Sequence, residues 1–304
     1  MKAILFVGHG SRLAAGNEEV TKFVEQLKPT LDQNLLVESC FLEFAAPDIS
    51  QGIDTCVAKG ATEIHVVPII LLQAGHSKIH IPAAIDEGKT KYPNVKIVYS
   101  RPLGVHEGIF DILKERLVEV GFSIEEKNED TAILLIARGG SDVDANSDFY
   151  KISRMLWEQL DVLTVESAFM GVTFPTVEQG IERCVKLGAK KIIMLPYFLF
   201  TGILMERMQG MRADFASIHP EIDVKLANYF GYHPTLKTVL NDRVAESLQG
   251  DVKMNCDTCQ YRINAAEFVE HHHHHDHDHD HEHDHHHGHD HHHHHDDHLV
   301  GTEK

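Results

Sequence analysis

The feature that most constrains this chain is its repetition of itself. "FLEFAAPDISQGIDTCVAKGATEIHVVPIILLQAGH" (Phe41 to His76) aligns with "FMGVTFPTVEQGIERCVKLGAKKIIMLPYFLFTGI" (Phe169 to Ile203), with one residue lost near the end. "FVGHGS" pairs with "LIARGGS", and "PLGVH" from Pro102 pairs with "YFGYH" from Tyr229. The chain is therefore two copies of one structural unit. Within each copy, apolar β-rich runs alternate with helical patterns, which predicts mostly parallel sheets with helices on both faces. In the first copy the expected strands are 2–7, 35–41, 63–70 and 95–99, and the expected helices are 17–27, 48–59, 81–91 and 107–120. Gly60 and Gly188 fall where a left-handed helix stop belongs. The expected fold is α/β: two duplicated flavodoxin- or Rossmann-like lobes, each with a four-stranded sheet, facing each other across a cleft.

The expected boundaries are 1–125 for the first lobe and 130–250 for the second, joined by the acidic link "SIEEKNED" (Ser123 to Asp130). A linker at 251–270 and a tail at 271–304 follow. The tail is almost entirely His, Asp and Glu and carries nineteen histidines. With no apolar side chains to build a core it is expected to be disordered, and its ligand density suits divalent metal ions. The linker holds Cys256 and Cys259 in a C-x-x-C, which reads as a metal, iron–sulfur or redox pair, with a simple flexible thiol pair as the plain alternative. Cys40, Cys56 and Cys184 fall on core-like positions, and five cysteines do not resemble a disulfide framework.

No stretch approaches the apolar length of a membrane span, and the N-terminus lacks the pattern of a signal peptide, so a cytoplasmic location is expected. A net charge of −18 argues against nucleic acid or an anionic membrane as partner. An anionic substrate would need local cations, for which Arg12, Lys78, Arg138 and Arg207 are the candidates.

The duplication also acts as an internal control. His9 aligns with Arg138, Glu43 with Gly171 and His76 with Ile203, so the scaffold stands without these three side chains. His106 and His233 match across the copies, which favours a structural role such as helix capping. His9 follows the first strand, Glu43 ends the second, and His76 is expected in the loop after the third. Parallel strands bring all three to one rim, the ligand-binding edge of an open α/β sheet. Two imidazoles and a carboxylate suit a divalent metal of intermediate hardness, and also acid–base work.

"GHGSR" after the first strand, "FLEFAAPDI" at the second and "PIILLQAGH" (Pro68 to His76) at the third resemble the sirohydrochlorin chelatases of the class II chelatase superfamily, over residues 1 to about 245. The length and the histidine-rich C-terminus are similar to the long cobaltochelatases of anaerobic cobalamin synthesis. The resemblance implies insertion of Co²⁺ into sirohydrochlorin between two lobes, without ATP or an organic cofactor, and leaves open a homo-oligomer. It implies His9 as proton acceptor and metal ligand, His76 as second ligand, and Glu43 as an assistant at the metal or with pyrrole protons. Leu71, Leu72, Gln73, Ala74 and Gly75 would line the tetrapyrrole pocket, with Arg12 and Arg138 on its carboxylates. Met254, Cys256 and Cys259 match an M-x-C-x-x-C associated in that group with an iron–sulfur centre. Iron insertion for sirohaem and a metal-storage or metallochaperone role are the competing readings.

Overall fold

The computed structural model describes residues 1–250; Cys256, Cys259 and the histidine-rich tail lie outside the described residues. The chain alternates strand and helix throughout: β1 (Lys2–Gly8), α1 (Ala14–Leu27), β2 (Leu36–Phe41), α2 (Ile49–Ala58), β3 (Glu63–Ile69), α3 (Gly75–Lys91), β4 (Lys96–Tyr99) and α4 (Glu107–Glu119). The second copy repeats this order as β5 (Asn128–Ala137), α5 (Val143–Trp157), β6 (Val162–Phe169), α6 (Val177–Lys186), β7 (Lys191–Pro196), α7 (Ile203–Ile218), β8 (Asp223–Leu226) and α8 (Pro234–Gln249). Each copy forms its own parallel four-stranded sheet, in the orders β2-β1-β3-β4 and β6-β5-β7-β8. The two lobes expected from the repeat are thus present. β5 begins at Asn128, so the end of the acidic link is strand.

Because β1 and β5 are central, their side chains are buried on both faces, which explains their unbroken apolar runs. Alternation along β1 still divides the residues between two cores. Ala3, Leu5 and Val7 face an outer core with Ile53, Ile64 and Ile85. Ile4 and Phe6 face a central core that also contains Phe23, Leu113, Ile133, Phe149 and Leu240. That central core is shared by both lobes, so neither half buries its apolar surface alone.

The last helix of each copy is exchanged with the other. α8 packs on β3 and α4, and α4 packs on β7. His106 caps α4, accepting from Gly108 N at 3.0 Å, while its Nε2 lies 3.2 Å from Asp242 on α8. His233 caps α8 by accepting from Thr235 N at 3.2 Å, and its Nε2 lies 2.8 Å from Glu115 on α4. The matched histidines therefore cap their own helices and tie each to the exchanged partner. Arg243, 2 % exposed, donates from Nη2 to Leu103 O at 2.6 Å and from Nη1 to Glu246 at 2.8 Å. The buried His65 on β3 meets Ser247 Oγ of α8 at 2.7 Å.

α3 differs from expectation. The expected helix began at Ile81, yet the helix starts at Gly75 and runs through Pro82. Proline tolerates the helical φ and costs one backbone donor, and packing of Ile81 and Ile85 into the outer core holds the helix across that gap. His76 is consequently in the first turn of a helix, not in a loop.

Candidate active site in the cleft between the lobes

The β1–α1 turn and the segment after β2 are locked together by backbone alone. Leu42 N donates to Gly8 O at 2.9 Å and Glu43 N to His9 O at 3.1 Å, extending the ladder past both strands. Gly10 sits at φ +86, and a Cβ there would fall 1.7 Å from Glu43 O. Only glycine permits that approach. Asn17 fastens the turn from below, accepting from Ser11 N at 2.7 Å and donating to Ser11 O at 2.8 Å.

The second copy builds the same frame. Gly171 N donates to Arg138 O at 3.1 Å, and Gly139 at φ +83 lies against Gly171 O. Asn146 donates to Gly140 O at 2.8 Å. Phe44 and Val172, equivalent by position, both take left-handed backbone conformations at φ 61 and φ 68, which side-chain-bearing residues adopt only when their surroundings enforce it. The frame is thus scaffold, and what the two copies place on it differs.

The first copy places His9 and Glu43 there, with His9 Nδ1 3.5 Å from Glu43 Oε1 and 3.1 Å from Gly10 O. The second copy contributes Arg138, whose Nη1 lies 3.2 Å from His9 Nε2. A guanidinium only donates, so Nε2 accepts and the ring proton sits on Nδ1, directed to Gly10 O and Glu43. An accepting Nε2 leaves the ring in a single tautomer. His76 enters through its backbone, as the second residue of α3. Among the described side chains no set of three or more His, Cys, Asp or Glu residues is arranged to hold a metal ion. Of the three residues expected at one rim, the described side chains include His9 and Glu43, which lie together.

His9 and Arg138 border a cleft of about 610 Å³ between the lobes. Leu71, Leu72 and Ala74 line it from the first lobe, and Phe198, Leu199 and Phe200 from the second. Gln73 turns its amide to the Tyr99 hydroxyl at 3.3 Å, and Gly75 opens α3. Arg12, Arg138 and Arg207 supply cations to an otherwise mainly apolar lining, with the Arg12 guanidinium 5.0 Å above the Phe44 ring. The cleft is thus an apolar slot rimmed by arginines.

Lys78 is not such a cation. Its ammonium lies 2.7 Å from Asp142 and 3.2 Å from Asp144, with Lys78 and Asp142 both buried. Burial opposes its charge, yet the two carboxylates hold its pKa above the usual lysine range. Asp142 also caps α5, accepting from Asp144 N at 3.0 Å through Oδ1. Lys78 thus ties the first turns of α3 to the start of α5, across the lobes.

Sequence reasoning missed Asp142 in this role, and also Glu19, which accepts from Thr201 N at 2.9 Å and from Tyr229 Oη at 2.9 Å and so pins the opposite wall of the cleft. Neither belongs to a motif. Asn17 carried a usable signal, because it recurs as Asn146 at the same place in the second copy.

Residues 3–120 and 132–247 each match the CbiX family model. The chain belongs to the CbiX family. Its CbiX halves coincide with the two lobes that share the cleft. The chain is 59% identical over 272 residues to the sirohydrochlorin cobaltochelatase of Priestia megaterium, covering 90% of this chain and 88% of that protein. SirB from Bacillus subtilis with Fe³⁺ superposes with a TM-score of 0.72 at 33% identity, covering 83% of this chain and 98% of that one. The sirohydrochlorin chelatase SirB from Bacillus subtilis subspecies spizizenii in complex with cobalt gives 0.69 at 30% identity, covering 82% and 95%. Among the described residues of this CbiX-family chain, no helix is long and apolar enough to cross a membrane.

Proposed function

We propose that this chain is a sirohydrochlorin cobaltochelatase, inserting Co²⁺ into sirohydrochlorin in the cobalamin branch of tetrapyrrole synthesis. Membership of the CbiX family and 59% identity to a cobaltochelatase support the reaction. The observation that carries the site is the His9 imidazole, set between Glu43 and Arg138 at the edge of the apolar, arginine-rimmed cleft.

Metallation requires a bent macrocycle, a partly dehydrated metal and a base for the pyrrolic protons. Nε2 of His9 is the atom suited to receive the metal and then a pyrrole proton, as ring nitrogens take over the coordination sphere. Glu43, beside Nδ1, orients the ring and stabilises the imidazolium that proton capture creates. His76, at the N-terminus of α3, is assigned as the second metal ligand. Two histidines leave coordination positions open for the tetrapyrrole, whereas a closed four-ligand site would retain the ion. Leu71, Leu72 and Ala74 are assigned to the macrocycle face, and Arg12, Arg138 and Arg207 to its carboxylates, arginine offering a bidentate fork.

An iron–sulfur centre at Cys256 and Cys259 is a finer part of the proposal and rests on the match of Met254, Cys256 and Cys259 to the M-x-C-x-x-C of the long cobaltochelatases. Two thiolates do not complete a four-iron cluster, so a second subunit or other ligands would have to contribute. Iron and sulfide analysis of anaerobically purified protein tests it. The proposed setting is the cytoplasm, on the sequence reading above.

The metal is tested by rate. Under anaerobic conditions with sirohydrochlorin, the initial rate with Co²⁺ should exceed that with Fe²⁺ at equal free concentration. A faster reaction with Fe²⁺ would make the chain a ferrochelatase.

A further inference from the structure

The bond between Arg138 and His9 does more than fix a tautomer. It uses the Nε2 lone pair, the atom that metal has to reach under the function proposed above, on which this inference rests. Arg138 Nη1 stands 3.2 Å from that atom. An arriving divalent ion must displace this hydrogen bond and meets a permanent positive charge beside its ligand. Both effects weaken metal binding in the empty cleft.

The same guanidinium is exposed on the cleft wall. A carboxylate of a seated tetrapyrrole can pair with it in the bidentate geometry that a single imidazole nitrogen cannot match. Such pairing turns the guanidinium away from His9, returns the lone pair and neutralises the charge. Of the cleft arginines, Arg12 has its guanidinium over Phe44 instead. In the first copy the position equivalent to Arg138 is His9 itself, so the duplicated frame brings the base and its cover together across the lobes.

We propose that Arg138 couples the two substrates: a tetrapyrrole carboxylate draws it off His9 Nε2, and metal then binds there more tightly than in the empty cleft. Linkage makes the effect reciprocal, since metal at His9 releases Arg138 for the carboxylate. The ion is thereby loaded chiefly when a ring is present to accept it.

The test uses full-length protein and two readouts. Co²⁺ is titrated without tetrapyrrole and followed by its ligand-field absorption, for wild type and for Arg138→Leu. From each titration the same titration of its His9→Ala counterpart is subtracted, which cancels metal held by the tail. The His9-dependent signal should saturate at about tenfold lower Co²⁺ in Arg138→Leu, within the usual range of coupling between sites. Arg138→Gln, which keeps a polar side chain but removes the charge, should shift the same way. In an initial-rate grid, the half-saturating Co²⁺ of wild type should fall several-fold as sirohydrochlorin rises, and that of Arg138→Leu should stay constant. Unchanged Co²⁺ affinity in both variants, with only weaker sirohydrochlorin binding, would overturn the proposal and leave Arg138 a carboxylate contact. Absence of turnover in wild type would instead count against the chelatase reading, while the Co²⁺ titration would still decide whether Arg138 controls His9.

Discussion

Arg138 Nη1 lies 3.2 Å from His9 Nε2, and these two residues occupy equivalent positions in the duplicated halves of one chain. One ancestral position carries a histidine in the first lobe and, in the second, the arginine that meets it. The glycine, asparagine and backbone contacts around both positions are kept. Chemistry and scaffold are thus separable here, and substitutions should separate them too.

His9→Ala and His76→Ala should each reduce insertion to below about one-hundredth of wild type, the scale expected for losing an acid–base group. Thermal unfolding should be nearly unchanged, because Arg138 and Ile203 stand at these places in the second copy. His106→Ala and His233→Ala should show the reverse. Each loses a helix cap and a cross-helix contact, costing about 1 kcal/mol or more, with activity per folded molecule retained. Denaturant unfolding beside the insertion assay checks both pairs; a folded but inactive His106→Ala would contradict the repeat argument.

Lys78→Met should cost about 3 kcal/mol, because it strands the buried Asp142 carboxylate between the lobes. Asp142→Asn should be milder than Asp142→Ala, since asparagine still caps α5. Denaturant midpoints for the three variants give the order directly. Equal losses for the asparagine and alanine forms would mean that the ion pair, not the cap, dominates.

Acid should loosen the docking of α8. Burial, opposed by Glu63, pushes the pKa of His65 below the usual histidine value of 6.5. The unfolded chain therefore takes up this proton before the folded one does. The stability contribution is fully present above about pH 6.5 and is lost as pH falls from there toward the lowered folded value. Denaturant unfolding at pH 7.5 and pH 5.5 should show a drop that shrinks in His65→Gln. An unchanged drop would place the acid sensitivity elsewhere.

The strand–helix alternation, the lobe duplication and the position of His9 and Glu43 were legible because β1 is a short, continuous apolar run ended by glycine, and because the stretch from Phe41 at the end of β2 recurs from Phe169. The start of α3 was not, since Pro82 imitates a helix N-terminus while the packing of Ile81 and Ile85 carries the helix through it. Lys78 read as a rim cation because sequence carries no sign of Asp142, sixty-odd residues away, which meets it only once the lobes pack. The exchange of α4 and α8 was equally hidden. Both helices have ordinary amphipathic patterns, and nothing local in such a pattern says which sheet it will cover. The matched histidines His106 and His233 were the one trace of it.

Catalysis of metal insertion through His9 is the step on which the proposed function stands or falls. The most direct measurement is anaerobic multiple turnover: sirohydrochlorin and Co²⁺ in large excess over full-length protein, followed by the conversion of the metal-free macrocycle spectrum to that of the metallated one. Wild type should form many equivalents of cobalt-sirohydrochlorin per chain, and His9→Ala, although its tail is intact, should react no faster than the uncatalysed mixture. Conversion that stops at one equivalent per chain, or that proceeds equally well in His9→Ala, would contradict the proposed function.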